Sequence, residues 1–307
     1  MIAAIGAFDG FHRGHQALLE RASESAQRLN TTWGVITFSG HPDIVLGSGG
    51  FKALFTVREQ SALERLFSVP EVHRLHFTRE MANMTPHDFL DLISRDFGVT
   101  GVVVGEDFRF GRNRSGTCDI LRNECVRRGW SADIVPDLST DDHTVISSTA
   151  IRDAVVSGEI ARAWEMLGYP FFYMSRVVHG KGRGKKLGFP TANIELAPEK
   201  IRPMNGVYAT LVSVDGQLWS GAANIGRNPT FEDVDGISFE INLTDYSGDL
   251  YDRELSIFML EFIRRERKFK NSYDLSCQIN MDTKIINEIT ELSHITHKFL
   301  WEKFRTL

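Results

Sequence analysis

The chain contains 307 residues, more than one hydrophobic core usually serves, and this length favours two domains of ordinary size. Its composition, with 42% hydrophobic and 24% charged residues, is typical of a globular protein and excludes a disordered or fibrous chain. The formal net charge of −5 provides no general attraction to nucleic acid or to an anionic membrane, so neither is expected as a partner.

Cysteine usage and the N-terminal residues predict a cytoplasmic protein. Cys118, Cys125 and Cys277 are too few and too irregularly spaced for a disulfide framework or a zinc site, and we expect reduced thiols. The chain starts without a basic segment, and no apolar run reaches the length of a membrane span. The sequence leaves open whether the protein forms a homo-oligomer.

Short apolar runs alternate with amphipathic segments of helical length from residue 1 to about residue 168. The predicted strands are residues 2–5, 33–38, 72–75, 102–104 and 134–135. The predicted helices are residues 16–28, 58–67, 86–97, 118–127 and 149–157. This alternation predicts an α/β domain over residues 1–168 with a doubly wound parallel sheet, whose ligands bind at the carboxyl ends of the strands.

Residues 169–307 have a different pattern, in which one β-rich segment follows another. The predicted strands are residues 171–178, 206–214, 217–224, 237–243 and 254–261. They predict an antiparallel β-barrel or a sandwich. Apolar residues near the C-terminus return to helical spacing and predict one long helix or two shorter ones packed on the β-domain.

The loop after the first predicted strand, residues 6–15, combines glycines with two histidines and is called the histidine loop below. Its sequence is Gly-Ala-Phe-Asp-Gly-Phe-His-Arg-Gly-His. Glycines let the backbone approach a phosphate chain, and the following helix N-terminus and the imidazoles offer hydrogen-bond donors. A tight turn with surface histidines is the alternative, and neither a Walker A motif nor a Gly-x-Gly-x-x-Gly fingerprint is present. The pattern therefore favours a nucleotide site.

The histidine loop resembles the His-x-Gly-His signature of nucleotidyltransferases. In its wider form it resembles the adenylyltransferase module of bacterial bifunctional riboflavin kinase/FAD synthetases. Residues 37–42, with Gly40 in place of a proline, and residues 104–111 and 146–152 are similar to further segments of that family. The resemblance implies a nucleotidyltransferase-like fold for this half of the chain.

The resemblance implies a set of site residues in this half. Adenylyl transfer needs alignment and a sink for charge on pyrophosphate rather than covalent help. The implied catalytic residues are His12 and His15. The implied nucleotide-binding residues are Gly6, Phe8, Asp9, Gly14, Ser147, Ser148, Thr149 and Arg152. The serines and Thr149 are also suited to cap a helix, and both roles are compatible.

A second set of residues follows the strand predicted at residues 102–104. Asp107, Phe108 and Arg109 are implied to bind the flavin. Phe108 and Phe110 either stack on a flavin or adenine ring or belong to the core, and the alternating aromatic pattern does not decide between these roles.

Residues 180–193 contain glycines interleaved with cations, followed by Pro-Thr-Ala-Asn. Such a flexible, positive segment is suited to cover a triphosphate, and Gly182, Arg183 and Gly184 are expected to bind the nucleotide. Thr191 and Asn193 offer oxygen ligands that suit Mg²⁺. A basic linker is the alternative, but it does not account for the ordered Pro-Thr-Ala-Asn sequence.

This run resembles the glycine-rich flap and Pro-Thr-Ala-Asn motif of riboflavin kinases. Similar segments follow at residues 206–208, 223–231, 239–241, 249–251 and 263–269, so the resemblance extends to about residue 282. It implies that Glu240 is the base that activates the riboflavin hydroxyl, and that Asn228 and Arg264 contact the flavin. Asn242 and Asp252 depart from the histidine and glycine that the family usually has.

The two halves together predict a bifunctional enzyme that phosphorylates riboflavin to FMN and then adenylylates FMN to FAD. Its substrates would be ATP, riboflavin and FMN, and its cofactor Mg²⁺. One alternative is that only one module is active, but motif residues are present in both halves. Another is a non-catalytic flavin-sensing regulator, which the lack of a helix-turn-helix pattern or basic arm disfavours.

Overall fold

The computed structural model describes residues 1–39, 50–179, 189–227 and 236–307, and the chain divides into two units. The first unit contains Met1–Ala53 and Leu63–Ser148. The second contains Leu54–Ala62 and Thr149–Leu307, so a short upstream segment belongs with the C-terminal part of the chain. The division after Ser148 lies upstream of the change in pattern near residue 168.

The first unit is built on a five-stranded parallel sheet in the order β3-β2-β1-β4-β5, which confirms the predicted doubly wound fold. Its strands are β1 Ile2–Ile5, β2 Trp33–Ser39, β3 Val72–His76, β4 Gly101–Gly105 and β5 Ser131–Val135. All four residues of β1 are buried, as expected of a central strand covered on both faces. The strand order reverses beside β1, so a cleft is expected where β1 and β4 end.

The helices between these strands begin at polar caps. They are α1 Arg13–Arg28, α2 Val57–Leu66, α3 Arg79–Ala82, α4 Pro86–Phe97 and α5 Cys118–Arg128. Thr85 and Thr117 cap α4 and α5, and α4 has a complete capping box. Helix α1 starts three residues before the predicted helix because the His12 side chain caps it. The division between the units falls within α2.

The second unit contains a closed antiparallel barrel in the order β10-β7-β6-β11-β8-β9, which confirms the barrel rather than the sandwich. Its strands are β6 Phe172–Val178, β7 Ala192–Ile194, β8 Gly206–Val214, β9 Gln217–Arg227, β10 Ile237–Leu243 and β11 Glu254–Arg264. The sequence analysis missed β7 because three residues are too few for an alternating pattern. Helices α6 Ser148–Ser157 and α7 Ile160–Leu167 precede the barrel.

The C-terminal residues form a long helix and a short one, α8 Ser272–Thr296 and α9 Lys298–Phe304. They pack on the barrel as predicted, because Trp301 is buried against Phe258 and the hydroxyls of Ser220 and Thr290 lie 2.7 Å apart. Across the described parts of the chain, none of the helices combines the length and apolarity that crossing a membrane requires.

Candidate active sites

A cavity of about 410 Å³ lies at the carboxyl edge of the first unit's sheet. The ends of β1, β4 and β5 form its floor through Ile5, Gly105 and Val135. The histidine loop lies along one side, and residues 107–109 lie along another. The structure therefore brings together His12 and Gly14, which were predicted to act on the nucleotide, and residues 107–109, which were predicted to bind the flavin.

The two histidines of the loop stack on each other at the start of α1. Their ring centroids are 3.7 Å apart, and the planes differ by 21°. His12 Nδ1 accepts a hydrogen bond from the backbone N–H of His15 at 3.3 Å, so the proton of neutral His12 is on Nε2. The same bond caps the helix and fixes the His12 ring beside the cavity.

His15 is an uncharged imidazole at neutral pH. Burial lowers its pKa well below the ordinary value of 6.5, and the neighbouring His12 lowers it further. Its Nδ1 atom is buried without a hydrogen-bond partner in the described parts of the chain. Most buried polar atoms in proteins have a partner, so this orphan nitrogen makes His15 unusual among buried side chains.

The remaining residues of the histidine loop shape its backbone. Phe8 and Phe11 have φ angles of 48° and 41° and are 2% and 1% exposed, so their rings anchor a strained turn. The Phe8 ring also lies 4.8 Å from that of His15. Any contact of Phe8 with a nucleotide would thus be through its backbone. A side chain at Gly14 would meet the His12 ring at 3.2 Å, which explains the glycine there.

Hydrogen bonds from two other segments hold this loop. Thr37 Oγ1 donates to the Ala7 carbonyl at 2.9 Å, and Ser148 Oγ donates to the Asp9 carbonyl at 2.9 Å. Asp9 is 3% exposed, and its predicted role in nucleotide binding stays a prediction. The sequence analysis did not identify Thr37 as a site residue, although Thr37 belongs to residues 37–42, which resemble a segment of the family.

Ser147 and Ser148 line the cavity, and Ser148 begins α6. Thr149 and Arg152 follow on this helix but belong to the second unit, and they are not among the residues that line the first unit's cavity. The predicted role of Thr149 and Arg152 in nucleotide binding stays a prediction.

Asp107, Phe108 and Arg109 form the wall opposite the histidines. The Arg109 guanidinium donates to the Phe108 carbonyl at 2.8 Å, so the side chain folds back on the loop that follows β4. Asp137 lies nearby, and burial, Asp107 and Glu106 raise its pKa in that order. This part of the cavity lining therefore combines the carboxylates of Asp107 and Asp137 with the guanidinium groups of Arg109 and Arg114.

A second cavity, of about 610 Å³, adjoins the first across this wall. Both cavities are lined by Phe38, Phe108, Arg109 and Arg114. The second is lined by both phenylalanines and arginines, and its further lining includes Phe77, Arg79, Met81, Asn83, Phe89 and Phe110. Phe110 is 7% exposed and belongs to the core cluster, and Phe108 packs against that cluster while it lines both cavities. Stacking of either ring on a flavin or adenine stays a prediction.

The second unit brings together Thr191, Asn193 and Glu240. Asn193 on β7 lies directly opposite Glu240 on β10, so both side chains project from the same face of the barrel. Thr191 Oγ1 donates to Glu240 Oε2 at 3.2 Å. Phe239 and Ile241 are 2% and 1% exposed, so strand alternation turns Glu240 away from the core. Its carboxylate is nevertheless half-buried and hydrogen-bonded.

The two departures from the family pattern have local explanations. Asn242 Nδ2 donates to the Pro190 carbonyl at 2.7 Å and so fixes the start of the Pro-Thr-Ala-Asn segment. Asp252 has a φ of 62°, a conformation that favours glycine, and it pairs with Arg176 at 3.1 Å. Asn242 and Asp252 therefore each form a polar contact that fits the local fold.

A cavity of about 450 Å³ lies beside Thr191 in the second unit. Its walls are Pro190 and Thr191 on one side and residues 246–251 on the other. His179 stacks on Tyr251 with ring centroids 4.2 Å apart. This cavity lies between the Pro-Thr-Ala-Asn segment and the family-like residues 249–251.

Arg264, predicted to contact the flavin, is engaged in a different interaction. Its guanidinium forms a bidentate ion pair with Asp282 on α8, at 2.8 Å for the closest approach, and Asp282 is 3% exposed. A flavin role for Arg264 stays a prediction. Gly40, Gly182, Arg183, Gly184 and Asn228 lie outside the described residues.

Models of two protein families match the two halves of the chain. A family model described as FAD synthetase matches residues 1–150, and one described as riboflavin kinase matches residues 167–290. The chain is therefore an ATP-dependent transferase of two units. The first unit is the sheet with the histidine loop, and the second is the barrel that carries Thr191, Asn193 and Glu240.

Relatives named bifunctional riboflavin kinase/FMN adenylyltransferase match over most of their length. The one from Pseudomonas fluorescens is 36% identical, covering 92% of this chain and 90% of its own. Those from Bacillus subtilis (strain 168) and Escherichia coli (strain K12) are 34% and 35% identical, covering 92% and 95% of this chain and 90% and 93% of their own. The chain belongs to the family of bifunctional riboflavin kinase/FMN adenylyltransferases.

One solved structure matches the whole fold. It is described as a macrolide-efflux protein from Streptococcus pneumoniae, with 30% identity, a TM-score of 0.86 and 93% of each chain covered. That description concerns the other protein, and the likeness supports the fold. The prediction of a bifunctional enzyme with both activities is confirmed by the two matched domains and the relatives.

Proposed function

We propose that the first unit adenylylates FMN with the ATP phosphates in the histidine cavity and the flavin ring in the adjoining aromatic cavity. The observation that supports this arrangement is the shared wall of Phe38, Phe108 and Arg109. A flat, aromatic ring system with polar edges fits a cavity lined by phenylalanine rings and arginines. Phosphates fit a site of N–H donors at a helix N-terminus. The phosphoanhydride bond that joins the FMN and AMP parts of FAD would then form near this wall.

The transfer itself requires alignment and charge stabilisation. An oxygen of the FMN phosphate attacks the α-phosphorus of ATP, and the bond to pyrophosphate breaks. Neutral His15 and the Nε2–H of His12 are positioned to donate hydrogen bonds to phosphate oxygens as negative charge moves to the leaving group. The α1 N-terminus adds its backbone N–H groups and its dipole.

The second unit phosphorylates riboflavin, with Glu240 as the general base. The riboflavin hydroxyl oxygen attacks the γ-phosphorus of ATP, the bond to ADP breaks, and the hydroxyl proton passes to the Glu240 carboxylate. The hydrogen bond from Thr191 orients that carboxylate. Asn193, directly opposite on β7, places an amide beside it.

Thr191 and Asn193 are the residues we assign to Mg²⁺. A hydroxyl and an amide supply the oxygen donors that this ion accepts, and they lie on one face beside a carboxylate. Mg²⁺ usually retains few protein ligands because substrate phosphates and water complete its shell. When bound, it would neutralise phosphate charge and orient the triphosphate.

Small-molecule substrates alone account for both sites. The absence of nucleic-acid and membrane partners, and the cytoplasmic location, stay predictions from charge and composition.

Incubation of the purified protein with riboflavin, ATP and Mg²⁺ tests the proposal, with the flavins separated by chromatography. We expect FMN to accumulate first and FAD to follow. Detection of neither flavin would refute the proposal.

Replacement of Phe108 by alanine tests the aromatic cavity. Loss of aromatic stacking on a planar ring typically costs about 1–3 kcal/mol, so the KM for FMN should rise about 5- to 150-fold. The KM for ATP in FAD formation should change much less. Riboflavin phosphorylation by the same protein serves as an internal control, and an unchanged KM for FMN would place the flavin elsewhere.

Replacement of Thr191 or Asn193 by alanine tests the Mg²⁺ assignment. A methyl group does not replace an oxygen ligand, so kinase activity should fall at limiting Mg²⁺ and recover partly at high Mg²⁺. Thr306, an exposed threonine near the C-terminus, provides the control Thr306→Ala. Kinase rates that match the control across the magnesium titration would remove both residues from the site.

A further inference from the structure

The upstream segment Leu54–Ala62 contributes an ion pair to the interior of the second unit. Glu59 Oε2 lies 2.6 Å from Lys200 Nζ, and these side chains are 1% and 2% exposed. The mechanism proposed above uses neither residue. Buried charges are retained only where partners satisfy them, so their contacts indicate what they do.

Both charged groups bind one edge of β6. The backbone N–H of Met174 donates to Glu59 Oε1 at 2.8 Å, and Lys200 Nζ donates to the Phe172 carbonyl. Further along that edge, the Arg176 carbonyl accepts a hydrogen bond from Glu195 just after β7. The backbone hydrogen-bonding groups along this edge of β6 therefore have two kinds of partner. The ion pair binds those of Phe172 and Met174, and the backbone N–H of Glu195 binds the Arg176 carbonyl.

Strand β7 is too short to cover this edge by itself. Its three residues pair with β6 only at Val177 and Val178. The ion pair supplies a donor and an acceptor where a longer strand would have continued the ladder. Aromatic rings enclose the ammonium group, including Tyr173 and Phe55 with centroids at 4.3 and 4.7 Å, which adds cation–π attraction.

We propose that Glu59 and Lys200 are positioning residues for riboflavin phosphorylation. By closing the edge of β6 that β7 leaves open, they hold β7 in register so that Asn193 faces Glu240. This inference rests on the proposed kinase site at Glu240. It assigns to the kinase a residue, Glu59, that lies within the segment matched by the FAD synthetase model.

The test replaces the pair in the full-length protein. Glu59→Gln and Lys200→Met should each lower riboflavin phosphorylation at least about 10-fold and raise the KM for Mg·ATP in that reaction, because a buried charge loses its partner. FAD formation from supplied FMN should stay within about 2-fold of wild type. A folding defect alone does not predict a KM change confined to one activity.

Arg58→Gln is the matched control. Arg58 lies on the same helix and pairs with Glu254 of the barrel, but both side chains are about half exposed, so little effect is expected. Glu240→Gln distinguishes the two proposals, since it should abolish kinase activity without changing the Glu59 contacts. If Glu240→Gln retains kinase activity while Glu59→Gln loses it, the proposed base is wrong but the positioning pair stands.

Unchanged kinase activity in Glu59→Gln and Lys200→Met, or equal loss of both activities, would overturn the positioning role. If a single variant fails to fold, Glu59→Gln/Lys200→Met is measured in its place, because removing both charges leaves neither one unpaired. Loss of kinase activity with FAD formation retained in this double variant supports the inference. Loss or retention of both activities overturns it.

Discussion

Replacing His15 with alanine is expected to reduce FAD formation from FMN by about 10²–10³-fold, the usual effect of removing one preorganised donor to a developing anion. His15 lies in the cavity of the first unit, stacked on His12, and Glu240 lies in the second. Riboflavin phosphorylation should therefore continue near the wild-type rate. Both rates are measured on the same preparation by chromatography of the flavins.

Two further variants sharpen this test. His15→Asn restores a donor on a shorter side chain and should recover part of the lost rate, whereas His294→Ala, at an exposed histidine of α8, should change nothing. Because the pKa of His15 lies well below 6.5, His15 should cause no decline in FAD formation as the pH falls through 6.5. A decline there that disappears in His15→Asn would show that protonation of His15 blocks the reaction near pH 6.5, whereas a decline as the pH rises through 6.5 would show that His15 works as a cation instead.

The sequence predicted the central strands well because apolar runs buried on both faces have few alternatives. Residues 2–5 are an example, since all four are buried and they lie in the middle of the sheet. The helix at residues 58–67 was also predicted. Its packing was not, because Glu59 finds its partner Lys200 far along the chain, and periodicity carries no information about such a pairing.

Site residues were predictable where chemistry and local geometry coincide. His12 caps α1 with the same ring that faces the cavity, so the motif indicates both the fold and the site. Phe108 and Phe110 show the opposite case. They alternate as strand residues do, and only the tertiary structure shows that both rings line the second cavity while Phe110 also belongs to the core.

Glu240 differs from most half-buried strand glutamates in its surroundings. Its carboxylate accepts a hydrogen bond from Thr191, and its strand lies between β7 and β9, with Asn193 and Asn224 opposite it on either side. A carboxylate held this way keeps a fixed direction, which a base needs if it is to accept a proton from an oriented hydroxyl.

Replacing Glu240 with glutamine separates the proton-accepting role from the structural one. The glutamine side chain retains the size and an oxygen that accepts from Thr191, so the local geometry should persist. It cannot accept the hydroxyl proton, and loss of a general base typically costs about 10²–10⁴-fold, so riboflavin phosphorylation should fall by that factor. Riboflavin and ADP binding, and the conversion of supplied FMN to FAD, should stay at wild-type levels.

Glu195→Gln, at the exposed residue after β7, controls for loss of a carboxylate near the same site and should leave both activities unchanged. Rapid-quench measurement of a single turnover shows whether the chemical step itself is slowed in Glu240→Gln, since steady-state rates can be limited by product release. A single-turnover rate equal to that of the wild type would mean that another group accepts the proton, and that Thr191 and Glu240 serve the barrel surface alone.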